Sequence, residues 1–381
     1  MYGRRPRTPG NSGKARLARR IAAAVLPSLL ACSNRAPAPD RGPAPSARAP
    51  AASASAAALP AKVELERKAM GTNVHLIAFP NADVDRAATE HALERAFQEM
   101  VRLEKTLSEW RSDSEVSAIN QNAGKPVKVG DDTFRVIEKS VWAGVTSGGT
   151  FDITFQSMSD LWKFGDAAEE QPRLPKPEEV AARRKLVDYR KLVLDRAAHS
   201  VKVPSGMQIG LGGIAKGYIV DAAAAVLRGV GLRDFLVQAG GDLYGAGRKP
   251  DGSPWVSGIQ DPRGPHGRYF ALIELENHAF STAGDYARSY VIDGKRYHHI
   301  IDPRTGYPAT ASRSVTVWAP DAFVADAIDD SVFILGPEKG LKLLESLDGV
   351  GAVIVDANNR VIVSDRIKGK VKILTPPSDG I

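Results

Sequence analysis

The run Tyr297-His298-His299-Ile300-Ile301-Asp302-Pro303-Arg304-Thr305-Gly306 packs imidazoles, a carboxylate, a guanidinium and a hydroxyl into one short stretch. Ser281-Thr282-Ala283-Gly284-Asp285-Tyr286 and Ala325-Asp326-Ala327-Ile328-Asp329-Asp330 flank it with further carboxylates and hydroxyls. These are the materials of acid–base work and of metal-assisted phosphate handling. His299 precedes two isoleucines and Asp302-Pro303, which places it where a strand enters a turn. A lone histidine there is usually structural; beside phosphate-type loops it can position or protonate an oxygen near neutral pH. His298, one residue earlier, faces the opposite side of an extended segment. Asp326 and Asp330 lie four apart in an expected helix and project on one face, where like charges cost about 0.2–0.5 kcal/mol. A divalent cation reverses that repulsion, and the oxygen-only donor set suits Mg²⁺. The bland alternative is a solvated acidic patch of Asp326, Asp329 and Asp330. It sits poorly with the apolar Val324, Ala327, Ile328 and Val332 interleaved among them.

Three glycine clusters add to this inventory. Leu211-Gly212-Gly213-Ile214-Ala215-Lys216-Gly217 leads into a helix N-terminus, where free backbone N–H groups suit a phosphate and Lys216 adds a point charge. It lacks the spacing of a P-loop, and taken alone such a cluster is more often just a turn. Ala239-Gly240-Gly241-Asp242 and Ser147-Gly148-Gly149-Thr150-Phe151-Asp152 are the other two. Each cluster ends in a polar side chain, the pattern of one shared ligand approached closely by backbone. No His/Cys cluster suits zinc, and no Gly-x-Ser-x-Gly elbow marks a serine hydrolase.

Periodicity supplies the elements that must hold these groups. Val63–Arg67 and Asn73–Phe79 alternate around Met70-Gly71-Thr72 and predict a hairpin. Val84–Ser108 carries a helical stripe through Ala88, Ala92, Leu93, Ala96, Phe97, Met100 and Leu103, and Asp132–Thr146 carries another. Residues 166–185 read as an exposed insertion with a helical start at Pro177, and Tyr189–Val203 as paired strands. A helix is expected over Ala215–Val230 with Gly231 as its stop. Strand segments follow from Phe235 to Ile292, with hairpin signals at Asp251-Gly252 and Asp293-Gly294. Ser314–Ala319 is a strand, Val324–Leu335 and Leu341–Leu347 are helices, and Gly351–Val355 with Val361–Ser364 is a last hairpin. Adjacent strand pairs with helices between them favour an α+β fold over a doubly wound parallel sheet.

The composition, 43% hydrophobic and 25% charged, is that of a chain with a real core. The net charge of +7 is no nucleic-acid signal, because much of it comes from Arg4, Arg5, Arg7, Lys14, Arg16, Arg19 and Arg20. That basic stretch precedes an apolar run, Ile21–Ala31, too short to span a bilayer, so residues 1–32 read as an export signal. Leu29-Leu30-Ala31-Cys32 resembles a bacterial lipobox, with Cys32, the single cysteine, as the lipid-carrying residue. Residues 33–61, rich in Ala, Pro and Ser, cannot bury enough apolar surface to order themselves and read as a tether. The folded part is expected over 62–375, on an exported lipoprotein held at a bacterial membrane and facing the periplasm.

In their order, these segments resemble the ApbE family of FAD:protein FMN transferases. The matching pieces include Met70-Gly71-Thr72, Ser108-Glu109-Trp110, Gly149–Thr154, Gly212–Tyr218 with Asp221, Ala239–Asp242, Thr282–Tyr286, His299–Gly306 and Ala325-Asp326-Ala327. The resemblance implies a two-lobed fold of mixed, largely antiparallel sheets and packed helices. It implies Mg²⁺-dependent transfer of FMN from FAD to a Thr or Ser hydroxyl of a target flavoprotein, with release of AMP. Met70, Trp110, Thr150, Phe151, Asp152, Lys216 and Ile300 would line the FAD site; Gly213, Asp326 and Asp330 would hold the metal; His299 and Asp285 would assist transfer. The family usually carries Asp where this chain has Gly210, and Thr where it has Asp330. An FAD pyrophosphatase yielding FMN and AMP, or a non-catalytic FAD-binding lipoprotein, are the alternatives.

Overall fold

The structure, a computed structural model, describes residues 59–164 and 173–380. The basic leader, Cys32 and the tether as far as residue 58 lie outside the described residues. β1 (Val63–Ala69) and β2 (Thr72–Ala78) form the expected hairpin. Met70 and Gly71 close it at φ 53° and 67°. Two consecutive left-handed residues match the strand twist; Gly71 adopts that conformation freely, Met70 at about 1–2 kcal/mol.

α1 (Arg86–Leu107) starts at Asp85, whose carboxylate accepts the Ala88 N–H at 2.8 Å. Its predicted stripe is buried from Ala92 through Leu103, each large apolar side chain contributing about 2 kcal/mol. α2 (Glu115–Gln121), β3 (Pro126–Lys128) and α3 (Asp131–Thr146) follow, then a 3-10 turn over Ile153–Met158 and α4 (Pro177–Arg184). Tyr189–Val203 pairs as expected but only through the short β4 (Val193–Asp195) and β5 (Ser200–Lys202), because a 3-10 turn takes up Tyr189–Lys191. α5 (Ala215–Gly229) ends at Gly231, φ 98°.

The remaining strands are β6 (Phe235–Ala239), β7 (Asp242–Ala246), β8 (Trp255–Gln260), β9 (Tyr269–Leu275), β10 (His278–Gly284), β11 (Ser289–Ile292) and β12 (Lys295–His298). After them come β13 (Ile301–Asp302), β14 (Tyr307–Pro308), β15 (Ser312–Ala319), β16 (Gly351–Asp356), β17 (Val361–Val363) and β18 (Val371–Ile373). Asp293-Gly294 turns the β11–β12 hairpin as predicted. Asp251-Gly252 does not join a hairpin: β7 and β8 belong to different sheets, and Asp251 instead closes a loop by accepting the Ser253 N–H at 2.9 Å. α6 (Ala322–Glu345) breaks at Gly336, φ 71°, before Pro337, so the two predicted helices are the arms of one kinked helix.

An eight-stranded sheet, β1-β2-β6-β7-β10-β15-β16-β17, is antiparallel throughout, which bears out the α+β reading. Its two faces enter two cores. Val237, Val317, Ala352 and Ile354 join the main core with α1, α5 and α6. Leu236, Phe280, Trp318, Val353 and Val355 meet Trp255, Phe270 and Ile273 of the smaller β18-β9-β8 sheet. Burial on both faces is why β6 and β16 are apolar apart from Gln238 and the terminal Asp356 although their neighbours are antiparallel. Among the described residues no helix is long and apolar enough to cross a membrane.

Candidate functional site

The first turn of α5 and the second of α6 meet at Gly217, whose bare Cα lets the helices cross closely. A Cβ there would lie 2.2 Å from the Ala322 carbonyl oxygen. Asp326 Oδ2 accepts the Gly217 N–H at 2.7 Å. Lys216 Nζ lies 2.8 Å from Asp242 Oδ2 on β7 and 3.8 Å from Asp326 Oδ1. Burial opposes the lysine's charge, but Asp242 and Asp326 outweigh it and hold its pKa above the ordinary value. Ser281 on β10 donates to Asp242 and also lies 2.7 Å from Asp329 Oδ2. One hydroxyl thus ties the β7 carboxylate to the helix carrying Asp326 and Asp330. Nothing in the spacing of Ser281 announced this, because β7 and β10 meet only through the sheet.

These carboxylates are poorly compensated. Burial, reinforced by Asp242, pushes Asp326 up to about 7; burial pushes Asp330 up to about 6 against the pull of Lys216; Asp329 is raised well above its usual range, by burial first. Among the described residues no three His, Cys, Asp or Glu side chains converge as a metal cage. The donor set present is two carboxylates and backbone. A Cβ on Gly213 would sit 3.4 Å from Asp330 Oδ2, so the bare glycine brings its main chain beside that carboxylate. Oxygen donors that leave positions for water and phosphate fit Mg²⁺.

The two neighbouring histidines part as predicted. His298 is buried, its Nε2 2.8 Å from the Ala309 carbonyl and its Nδ1 accepting the Ile300 N–H at 3.3 Å. It is structural. His299 keeps Nδ1 shielded from solvent and, among the described residues, without a hydrogen-bond partner. Burial, then the charges of His298, Arg288 and Lys216, depresses it to about 3, so the imidazole is neutral at pH 7. Asp285 is engaged differently: both oxygens take Arg263 Nη1 and Nη2, at 2.6 and 2.7 Å. Arg263 escaped the sequence reading inside a Pro/Gly-rich turn.

Of the other predicted residues, Met70 lies in the β1–β2 turn, φ 53°, two residues before Thr72, which faces Gly240. Phe151 packs its ring against Gly213. Thr150 donates its hydroxyl to the Ser147 carbonyl at 3.2 Å. Asp152 spends one oxygen on Thr154 and the other on the Tyr189 N–H at 2.9 Å, so its carboxylate ties segments together. Ile300, 3% exposed, is part of the main core. Trp110 is 80% exposed, an uncovered ring beside Glu109. Glu109 lines a cavity of about 250 Å³ with Ser117, Asn120, Gln121, Gln156 and Gln208. Gln156 accounts for Gly210: a Cβ at 210 would lie 2.6 Å from Gln156 Oε1, so this amide fills the room a side chain there would need.

Residues 70–354 match the profile of the ApbE family. The chain is 34% identical over 306 residues to an FAD:protein FMN transferase of Treponema pallidum, covering 76% of this chain and 83% of the relative. It is 31% identical over 306 residues to one of Haemophilus influenzae, covering 78% and 87%. Among solved structures it is similar to the ApbE protein of Thermotoga maritima, with TM-score 0.74 and 32% identity over 81% of this chain and 99% of that one. The flavin transferase ApbE of Vibrio cholerae superposes with TM-score 0.71 and 27% identity over 82% and 99%. A match over most of the folded part, in sequence and in fold, establishes that the chain belongs to the ApbE family.

Proposed function

We propose that this chain is an FAD:protein FMN transferase, moving FMN from FAD to a Thr or Ser hydroxyl of a target flavoprotein and releasing AMP. The observation that carries the reading is the meeting of Lys216, the first turn of α5 and Asp326, in a chain whose relatives bear that name. The FAD pyrophosphate is held against Lys216 at the start of α5, where the positive helix end favours anions. Asp326 and Asp330, with the Gly213 carbonyl, would hold Mg²⁺, which when bound neutralises phosphate charge. Neutral His299 accepts a hydrogen bond from the incoming hydroxyl and orients it, and the proton passes to the phosphate of the departing AMP. As that oxygen bonds to the FMN phosphorus, the P–O bond to the AMP phosphate breaks and AMP leaves. Asp285 does not take the proton, since doing so would break two charge-assisted bonds to Arg263. Exposed Trp110 offers its face to a ring of the dinucleotide.

Export and lipidation at Cys32 would hold the enzyme at a bacterial membrane, facing the periplasm. Cys32→Ser is expected to release the protein from membranes, read by fractionation. For the reaction, the protein is incubated with FAD, Mg²⁺ and a target flavoprotein, and covalent flavin is read by in-gel fluorescence and mass. An adduct that disappears with EDTA is expected. Free FMN and AMP without an adduct would make it a pyrophosphatase, and unchanged FAD a binding protein; either result overturns the proposal.

A further inference from the structure

Helix α5 begins without a cap of its own, because Ile214 at its N-cap position makes no side-chain capping bond. The missing acceptor comes from α6, where Asp326 Oδ2 takes the Gly217 N–H at 2.7 Å. Helix α6 shows the converse. Its own cap, Asp321, takes the Val324 N–H at 2.7 Å. The N–H groups of Ala322 and Phe323 donate to the two oxygens of Asp221, on α5, at 3.0 and 2.9 Å. Each helix therefore caps the other with an aspartate from its interior. First-turn N–H groups have no partner inside their own helix, so both ends depend on this exchange.

The exchange has one geometry. At Gly217 a Cβ would lie 2.2 Å from the Ala322 carbonyl oxygen and 2.7 Å from Asp326 Cβ, so the helices touch backbone to backbone. Asp221 lies five residues beyond Lys216, about 7.5 Å along the axis. The charged groups that act on it are Asp321 on α6 and Arg228 on its own helix, and it acts in turn on Lys139 of α3. Lys216 and Asp326 are its neighbours only through the two helix frames.

We propose that Asp221 is a positioning residue for the site: by capping α6 it fixes the crossing at which Asp326 caps α5, and so sets where Lys216 and Asp326 stand toward a phosphate ligand. The part concerning the ligand rests on the flavin reading above; the coupling between the two caps does not.

The test compares the parent with Asp221→Ala and Asp221→Asn. Leu227→Ala is the control, since it removes a fully buried side chain from the same helix without touching either cap. Hydrogen exchange read by mass spectrometry follows the peptide containing Gly217, and flavin fluorescence follows FAD affinity. Asp221→Ala should speed Gly217 exchange and weaken FAD binding by about tenfold each, the scale of a lost cap. Asp221→Asn, which keeps one acceptor oxygen and carries the test should the alanine variant not fold, should shift both by about threefold. Leu227→Ala should lower the melting temperature and leave both readouts near the parent. Gly217 exchange within about twofold of the parent in both Asp221 variants, or equal acceleration in Leu227→Ala, overturns the proposal. If no protein binds FAD but the exchange pattern appears, the coupling stands and the flavin reading fails.

Discussion

Two carboxylate neighbourhoods in this molecule are built on opposite terms. Asp261, Asp285 and Asp302 lie in or beside Asp-Pro-Arg turns and are saturated with donors. Asp285 takes both guanidinium nitrogens of Arg263; Asp302 takes Arg304; Asp261 takes the N–H groups of Arg263, Gly264 and Ser378. On the α5–α6 side, Asp242, Asp326, Asp329 and Asp330 have among the described residues one ion-paired cation, Lys216. The first group fastens turns and the C-terminal segment. The second crowds four carboxylates around that single cation, and burial raises Asp326, Asp329 and Asp330 above the usual carboxylate range.

The contrast can be broken at either end. The largest effect is expected from Arg263→Ala, which strands Asp285 as an unpaired buried charge and should cost about 3–5 kcal/mol, read by urea unfolding. A loss under about 1 kcal/mol would mean that the pair fastens nothing. Next comes Asp326→Ala, expected to cut Mg²⁺-dependent adduct formation by a factor of about 100 to 1,000 while the protein stays folded. Near-normal turnover would remove Asp326 from the site. The smallest concerns Asp330→Asn in EDTA, expected to be more stable than the parent. Burial holds the folded carboxyl near 6, so the folded parent keeps a proton that the unfolded chain has lost. The variant's advantage should be absent below about pH 4, grow through about pH 6 and then level at on the order of 3 kcal/mol. An advantage independent of pH would count against an uncompensated charge.

The scaffold was more legible than the site. Leu93, Ala96, Phe97, Met100 and Leu103 announced α1 because helical spacing is a local property, and Asp293-Gly294 announced its hairpin for the same reason. Asp326 and Asp330 could be placed on one helix face, and Lys216 at a helix start, from spacing alone. What spacing cannot express is a partner brought in by another element. Ser281 meets Asp242 through a strand pairing, Arg263 reaches Asp285 from a loop, and Asp152 turns its carboxylate onto Tyr189. The stretch His298–Ile300 illustrates the limit: alternation separated the two histidines correctly, yet only packing shows that Ile300 lies in the core.

Gly217 gives a rule for reading other chains of this kind. With a hydrogen in place of a side chain, it is the contact on which both helices turn. A chain carrying a bulkier residue at the matching position must hold its two helices farther apart, and an aspartate across the gap then no longer reaches the first-turn amide. A single letter in the sequence thus reports an interhelical distance, and can be checked before any coordinates exist.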